Sequence, residues 1–281
     1  MSIQTQIERL QDAKSSIKSA ISEKGVTVPD SASLNDYAEY VSQISVGASS
    51  SIIDSGKCGE SVDWTLYDNG ELIISGSGAM TNYSATSSVF YSNTAITNVT
   101  IETGVTSIGD YAFRSCGNLT SITIPDSVTA IGTAAFIYCK SLTSVTMPNS
   151  VTSIQPSAFS NCSGLENITI PSGISTIATS VFDYCTGLAN VTIPNSVTRI
   201  SLSAFDHCTR LGYVFYIGTK AEWDKITIST GNDNLKNATL YCEYEDSSNA
   251  ETVDGWHFAV KKGSTPDSTT EPTITLLYTV G

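Results

Sequence analysis

The feature that most constrains the fold of this chain is a constant step of 23 residues. Phenylalanine, cysteine and leucine recur at this step, and each type keeps a fixed distance from the other two. The three columns are Phe113, Phe136, Phe159, Phe182 and Phe205; Cys116, Cys139, Cys162, Cys185 and Cys208; and Leu119, Leu142, Leu165, Leu188 and Leu211. A fixed period of this length is typical of solenoids, whose coils bury their apolar sides only against each other. The repeat favours a binding function without naming the ligand.

The repeat extends from about Phe90 to Tyr216. One unit reads VTSIGDYAFRSCGNLTSITIPDS, residues 105–127. A degenerate earlier coil begins at Phe90, where Asn93 replaces the cysteine. The sequence therefore predicts a mainly β solenoid of about six coils, whose stacked apolar residues supply a core without metal or disulfide.

Segments outside the period indicate caps at both ends. WTLYDNGELIISGSGAM, residues 64–80, alternates apolar and polar residues around Asp-Asn-Gly, a strong hairpin signal. After Tyr216, TKAEWDK predicts a helical turn and LKNATLYCEY predicts a closing strand. We expect a capped repeat domain over residues 58–244, since terminal coils need covered edges.

The remaining chain predicts three further segments. Residues 1–45 have apolar residues near helical spacing and form a predicted helical module for attachment or oligomerisation. Residues 46–57 are predicted as a linker, and residues 245–281 as a linker with a small β-hairpin unit. The apolar stripe of the attachment helix comprises Ile3, Ile7, Leu10, Ile17 and Ile21.

Charge and hydropathy exclude two classes of partner. The net charge is −13, from 14 basic and 27 acidic residues, and no basic stripe is present to neutralise phosphates. No run of 18 apolar residues is present, and the N-terminus lacks the pattern of a secretory signal. We expect neither nucleic-acid binding nor membrane insertion, and we expect the protein in a virion or outside the cell. A signal removed before this N-terminus stays open.

The repeat cysteines admit two interpretations. They could form a disulfide ladder or a metal site, or they could be small buried side chains. Zinc spacings of the CxxC type do not occur, and side chains stacked in one column point the same way. We expect free thiols in the core.

Catalytic chemistry has few candidates. Asp206-His207-Cys208 could place a histidine beside a nucleophilic thiol, but neighbours in such a segment point different ways, so an exposed histidine beside a buried thiol is favoured. No pair of carboxylates can be nominated for glycoside hydrolysis. The sequence predicts no catalytic, cofactor or metal site, and no enzyme.

Two exposed surfaces remain as candidates for binding. Outward positions of the predicted strands carry polar columns that are either a solvated ladder or a platform for glycan or protein. The position two residues after each phenylalanine varies and includes aromatic residues, which are good contact residues. The candidate binding residues are Tyr138, Tyr184, His207, Thr123, Thr146, Thr169, Thr192, Asn167 and Asn190.

The repeat resembles a known family. AFRSCGNLTSITIPDSVTAIG, residues 112–132, and the flanking segments are similar to BspA-like leucine-rich repeat proteins over about residues 58–243. The resemblance implies a right-handed solenoid with a short-stranded sheet on one face and irregular or short helical segments on the other. It also implies a surface or secreted binding protein, and many members have no known ligand.

The N-terminal 45 residues resemble a short module of tail-associated proteins of phages and prophages. This resemblance implies attachment to other virion or tail proteins. The main hypothesis is therefore a non-enzymatic tail-associated protein whose repeat surface contacts a host-surface glycan or protein. The alternative is a BspA-like cell-surface adhesin or secreted interaction module. Homo-oligomerisation is left open.

Overall fold

A computed structural model of the chain describes residues 50–242 and 260–261. The chain divides into two units, Met1–Ser51 and Ile52–Gly281. The predicted N-terminal helical module lies outside the described residues. The elements are β1 (Ile52–Lys57), β2 (Val62–Tyr67), β3 (Glu71–Gly76), β4 (Gly78–Ala79), β5 (Asn98–Ile101), β6 (Val105–Ile108), β7 (Ser121–Thr123), β8 (Ala130–Ile131), β9 (Ser144–Val145), β10 (Ser153–Ile154), β11 (Asn167–Thr169), β12 (Thr176–Ile177), β13 (Asn190–Pro194), β14 (Arg199–Ile200), β15 (Tyr213–Ile217), α1 (Lys220–Trp223), β16 (Thr227–Ile228), α2 (Asp233–Asn237), β17 (Thr239–Cys242) and β18 (Val260–Lys261).

The main sheet of the solenoid follows directly from the 23-residue step. Strand β11 pairs in parallel with β13, so that Asn167 lies opposite Asn190, and an isolated bridge between Thr123 and Thr146 joins β7 to β9. Eight rungs result, from β3 through β5, β7, β9, β11, β13 and β15 to β17, and they enclose about seven turns. The cap strands β3 and β17 account for the excess over the six predicted coils.

A second parallel ladder lies where the resemblance implied irregular or short helical segments. Strands β4, β6, β8 and β10 form one sheet, and β12, β14 and β16 form another. A serine two residues after Pro125, Pro148 and Pro194 donates to the carbonyl of the preceding turn: Ser150 Oγ to Val128 O over 2.9 Å, for example. Gly173 occupies this position in the turn after β10 and cannot donate, and the ladder breaks there between β10 and β12.

The third side of each turn is a tight segment around the phenylalanine, which we call the ridge. Backbone hydrogen bonds join its segments turn to turn, for example Phe113 N to Ala135 O and Ser115 N to Ile137 O, both 2.8 Å. Two residues have positive φ in each ridge segment from Phe113 to Phe205, and one residue, Ser92, has it in the segment at Phe90. The ridge is therefore held to its neighbours by its backbone, as the two ladders are.

Phenylalanine rings form a continuous column through the core. The rings of Phe90 to Phe205 stack with centroids 5.2–5.8 Å apart, and Trp64 packs edge-on against Phe90 at 5.3 Å. Each of the six phenylalanines is at most 1% exposed. The early coil at Phe90 is thereby confirmed.

The cysteine column lies in the core as free thiols, as predicted. Each repeat thiol donates a hydrogen bond to the carbonyl oxygen of a phenylalanine 26 residues earlier, as Cys162 does to Phe136 over 3.2 Å. Loss of solvent raises the pKa of Cys116 and Cys208 to about 12. It also raises the pKa of the thiols between them well above the usual value: Cys139, Cys162 and Cys185.

The N-terminal cap is a three-stranded antiparallel unit. The predicted hairpin is β2–β3, its turn ends at Gly70 with φ of +83°, and β3 then pairs in parallel with β5. The linker predicted over residues 46–57 is in part wrong, because residues 52–57 form β1 against the free edge of β2. The edge of β2 offers unpaired backbone N–H and C=O groups. A neighbouring segment can pair with them through its own backbone, so the serine-rich composition that indicated a linker did not decide the structure.

In the C-terminal cap, a side chain makes hydrogen bonds to the last ridge segment that the backbone of a following turn would otherwise make. Thr219 and Glu222 form a capping box at α1, and the predicted closing strand is β17. Asn232 is fully buried; its Oδ1 accepts from Phe205 N at 3.0 Å and its Nδ2 donates to Ser201 O at 2.9 Å. Strand β18 pairs antiparallel with β17, and the rest of the predicted 245–281 unit lies outside the described residues.

We expect Asn232→Ala to lower the free energy of unfolding by about 2–4 kcal/mol, since it leaves buried backbone groups without partners. Urea unfolding followed by circular dichroism measures the change. Asn237→Ala, an exposed position at the end of α2, is the matched control and should change stability by less than about 0.5 kcal/mol. Equal effects of the two substitutions would contradict the capping role of Asn232.

We expect stability to fall steeply above about pH 9. The folded thiols have a raised pKa, so the stability they contribute is complete below the unfolded pKa of about 9 and is lost as the pH rises towards 12. Each thiol that ionises only in the unfolded chain lowers the unfolding free energy by about 1.4 kcal/mol per pH unit. Thermal melts between pH 6 and 11 test this, and a Tm at pH 10.5 equal to that at pH 8 would contradict it.

Candidate functional site

Two columns of side chains follow the phenylalanine column along the ridge, and their exposure ranges from exposed at Tyr184 to buried at Ser160. The first ridge column follows each phenylalanine by one residue and comprises Tyr91, Arg114, Ile137, Ser160, Asp183 and Asp206. The second ridge column follows by two residues and comprises Ser92, Ser115, Tyr138, Asn161, Tyr184 and His207. The predicted ridge residues Tyr138 and Tyr184 are exposed, at 37% and 44%, and His207 is exposed as well. The two columns differ in chemistry along the stack while the core beneath them is constant.

Every residue of the second ridge column has positive φ, between +52° and +66°. Asparagine tolerates this left-handed conformation better than most residues, whereas bulky side chains adopt it at a cost. Tyr138 and Tyr184 therefore occupy positions that the backbone would fill more favourably with asparagine. Strained residues of this kind cluster at binding and catalytic sites.

The C-terminal part of the ridge combines a ring stack with a histidine–carboxylate cluster. The rings of Tyr184 and His207 stack with centroids 3.8 Å apart and an angle of 10°. His207 Nδ1 lies 3.2 Å from Asp183 Oδ1 and 3.5 Å from Asp206 Oδ1. Asp206 also accepts from His207 N at 3.0 Å and from Ser203 Oγ at 3.3 Å. The ring of His207 is thus fixed between a tyrosine and two carboxylates.

The sequence predicted no metal site, and that stays a prediction. The three donor atoms of Asp183, Asp206 and His207 lie within 4.8 Å of one another, a separation that a metal ion could bridge. Hydrogen bonds already account for their arrangement. The cluster was not found from sequence because its members come from two turns and unite only when the turns stack.

His207 and Cys208 do not form a catalytic pair. Cys208 is buried and donates to Phe182 O at 3.1 Å, whereas His207 points outward. Burial raises the pKa of the Cys208 thiol to about 12, which leaves almost no thiolate at neutral pH. The structure agrees with the exposed histidine and buried thiol that the sequence favoured.

The N-terminal part of the ridge places one arginine among three tyrosines. The Arg114 guanidinium carbon lies 6.0 Å from the ring centroids of Tyr91 and Tyr111 and 5.7 Å from that of Tyr138. Sequence reasoning selected Tyr138 alone. The 23-residue step did place Tyr91 and Arg114 in one column, and that signal could have found them.

The polar columns of the main sheet form a ladder, as expected. Thr123, Thr146 and Thr169 are exposed and Thr192 is half-buried. Asn190 Nδ2 donates to Asn167 Oδ1 at 2.6 Å, so these two amides partly satisfy each other along the column. Whether this ladder binds a partner stays a prediction.

The same sheet face ends in an aromatic cluster that sequence reasoning missed. Phe215 follows Thr192 in register, and Tyr241 follows Phe215. The rings of Phe215 and Tyr241 stack at 5.3 Å, and Tyr213 lies 6.3 Å from Phe215 and is 47% exposed. The periodic register contained this signal, because Tyr213 and Phe215 continue the asparagine and threonine columns.

One hollow in the described part of the chain lies near the break in the second ladder, and Ile154, Ile170, Ile174 and Ile177 are among its mostly apolar lining residues. None of the helices in the described part of the chain has the length and apolar character to cross a bilayer.

Comparison with known proteins identifies the repeat. The family model described as "BspA type Leucine rich repeat region" matches in six copies. Residues 84–212 are a BspA-type leucine-rich repeat region. The resemblance inferred from sequence is confirmed over these residues, whereas the phage-tail resemblance of residues 1–45 has no support in the comparisons.

Two solved structures of leucine-rich proteins are similar to this chain. A leucine-rich repeat protein from Eubacterium ventriosum is 26% identical, with a TM-score of 0.53, over 68% of this chain and 46% of that chain. A leucine rich cell surface protein from Faecalibacterium prausnitzii is 32% identical, with a TM-score of 0.47, over 62% of this chain and 42% of that chain. The chain thus spans less than half the length of either protein. Comparison with curated proteins gave no match.

We expect Ser115→Val to lower the free energy of unfolding by about 1–3 kcal/mol, because a β-branched residue is strained at φ of +60°. Ser115→Gly should be neutral or stabilising, since glycine adopts positive φ freely. Ser144→Val, at an exposed position of β9, controls for the same side-chain change on a strand. Urea unfolding compares the three variants, and equal stability of Ser115→Val and Ser144→Val would show that φ does not limit this position.

Proposed function

We propose that this chain is a non-enzymatic binding protein of the bacterial cell-surface type, and that its ridge contacts the partner. The observation that carries the proposal is the pair of exposed tyrosines at positive φ, Tyr138 and Tyr184. Asparagine or serine would satisfy the backbone better at both positions, as Asn161 and Ser115 do in other turns. Exposed aromatic residues on a rigid scaffold are suited to contact with a partner.

The repeat region supports the class of protein that we propose. BspA-type repeats over residues 84–212 support the proposal, because the sequence resemblance linked such repeats to surface or secreted binding proteins. The partner under this proposal is a host-surface glycan or protein. The non-enzymatic assignment is supported by the raised pKa of the repeat thiols, since a buried thiol that stays protonated is not an activated nucleophile.

A tail-associated role is the second candidate. It is favoured only by the resemblance of residues 1–45 to a phage-tail module, and those residues lie outside the described part of the chain. Under this proposal the stripe from Ile3 to Ile21 would contact other virion proteins. The two candidates share the solenoid and differ in what carries it.

We expect antibodies against the chain to label intact cells of the bacterium that encodes it, and external protease to remove the label. A cytoplasmic protein of the same cells is the control for lysis. The culture supernatant is sedimented in parallel. Signal on particles and not on cells would favour the tail-associated role, and signal only in the cytoplasm would contradict both candidates.

A further inference from the structure

Arg114 is a half-buried cation with no carboxylate partner. Among residues 50–242, ion pairs within 4.0 Å involve Lys57, His207 and Lys220, and Arg114 makes none. Its Nε is buried and has no hydrogen-bond partner in this part of the chain. Removing a polar group from water without a partner is unfavourable, so this guanidinium gains from any anion that reaches it.

The surroundings of Arg114 are aromatic and fixed by backbone. Tyr91, Tyr111 and Tyr138 come from three consecutive turns and face the guanidinium at 5.7–6.0 Å. Tyr111 N donates to Thr133 O at 2.8 Å, and Tyr138 N donates to Ser160 O at 3.0 Å. Positive φ at Tyr111 and Tyr138, +54° and +66°, further restricts the direction of both side chains. The site is therefore formed before any ligand binds, which lowers the entropic cost of binding.

We propose that Arg114, Tyr91, Tyr111 and Tyr138 bind the carboxylate-bearing sugar of an acidic glycan. The planar guanidinium fork matches a carboxylate, and it does so better than an ammonium group would. Tyr91 and Tyr138, 38% and 37% exposed, offer apolar ring faces for the C–H faces of a pyranose and hydroxyls for its polar edge. This inference rests on the proposed function and assigns its ligand class.

An acidic peptide fits this surface less well. Extended peptides commonly bind by adding a strand to an open sheet edge or by entering a groove. The ridge backbone offers no such edge, because Tyr111, Phe113 and Ser115 already donate to the next turn.

The test measures binding of the full chain to immobilised oligogalacturonate and oligosialic acid by biolayer interferometry at low ionic strength. There are three comparison probes: a carboxyl-reduced form of each oligosaccharide, a sulfated glycan that has no carboxylates, and oligoglutamate. We expect binding to at least one acidic oligosaccharide, loss of that binding after carboxyl reduction, and weaker binding as salt rises.

Matched variants locate the site. Arg114→Gln and Tyr138→Asn should weaken binding by about tenfold or more, since a charged hydrogen bond or a stacked ring is lost. Arg199→Gln, at another exposed arginine, and Tyr184→Asn, in the same ridge column, should change it by less than about twofold. Tyr138→Asn and Tyr184→Asn both place asparagine at positive φ, so folding differences between them are small. If Arg114→Gln does not fold, Arg114→Lys replaces it, and we expect weaker binding because an ammonium group matches a carboxylate less well than the guanidinium fork.

Four results would overturn the acidic-glycan site. They are no binding to either acidic oligosaccharide, undiminished binding after carboxyl reduction, unchanged binding of Arg114→Gln, and tighter Arg114-dependent binding of oligoglutamate or the sulfated glycan. If the surface labelling succeeds and any of these four results is obtained, the acidic-glycan site is overturned and the proposed function is not. Failure of the surface labelling is a separate measurement and bears on the proposed function.

Discussion

Hydrogen bonding between neighbouring turns is the constraint on which the rest of this structure depends. Each turn is bonded to the next along the main sheet, along most of the second ladder and along the ridge. The three sets of bonds share a 23-residue step, so every side chain lies over its equivalent in the turn before. Phenylalanine rings 5.2–5.8 Å apart and thiols that donate to the carbonyl of the previous turn are consequences of that register. One changed position therefore affects two interfaces.

The ends of such a stack need separate solutions. At one end the antiparallel β1–β2–β3 unit supplies the first rung and Trp64 closes the ring column. At the other, the side chain of Asn232 accepts from Phe205 N, a role that the carbonyl of the next turn plays elsewhere. A further repeat at either end would leave its outer apolar face uncovered, so segments outside the repeat pattern cover the two ends.

The sequence predicted the core columns, the hairpin cap and the free thiols because each depends on period or on local turn chemistry. It could not predict the second ladder, whose strands are mostly two residues long and which breaks between β10 and β12, in the turn where Gly173 stands in place of a serine. The positive φ of the second ridge column was also hidden, since the serines and tyrosines that occupy most of it are poor indicators of that conformation. The Arg114 group combines three columns, those of Tyr111, Arg114 and Tyr138, and a step of 23 aligns each column only with itself.

The ridge separates recognition from stability in a way the core does not permit. Its backbone is fixed by bonds that are independent of side-chain identity, so the two ridge columns can change with the stack intact, although a residue that fits positive φ poorly lowers stability. Along one continuous ridge, an arginine among tyrosines gives way to a histidine between two aspartates beside a tyrosine. Those two groups differ in charge yet share one backbone conformation. A scaffold of this kind can change its ligand by substitution at a few exposed positions while Phe, Cys and Leu beneath them stay constant.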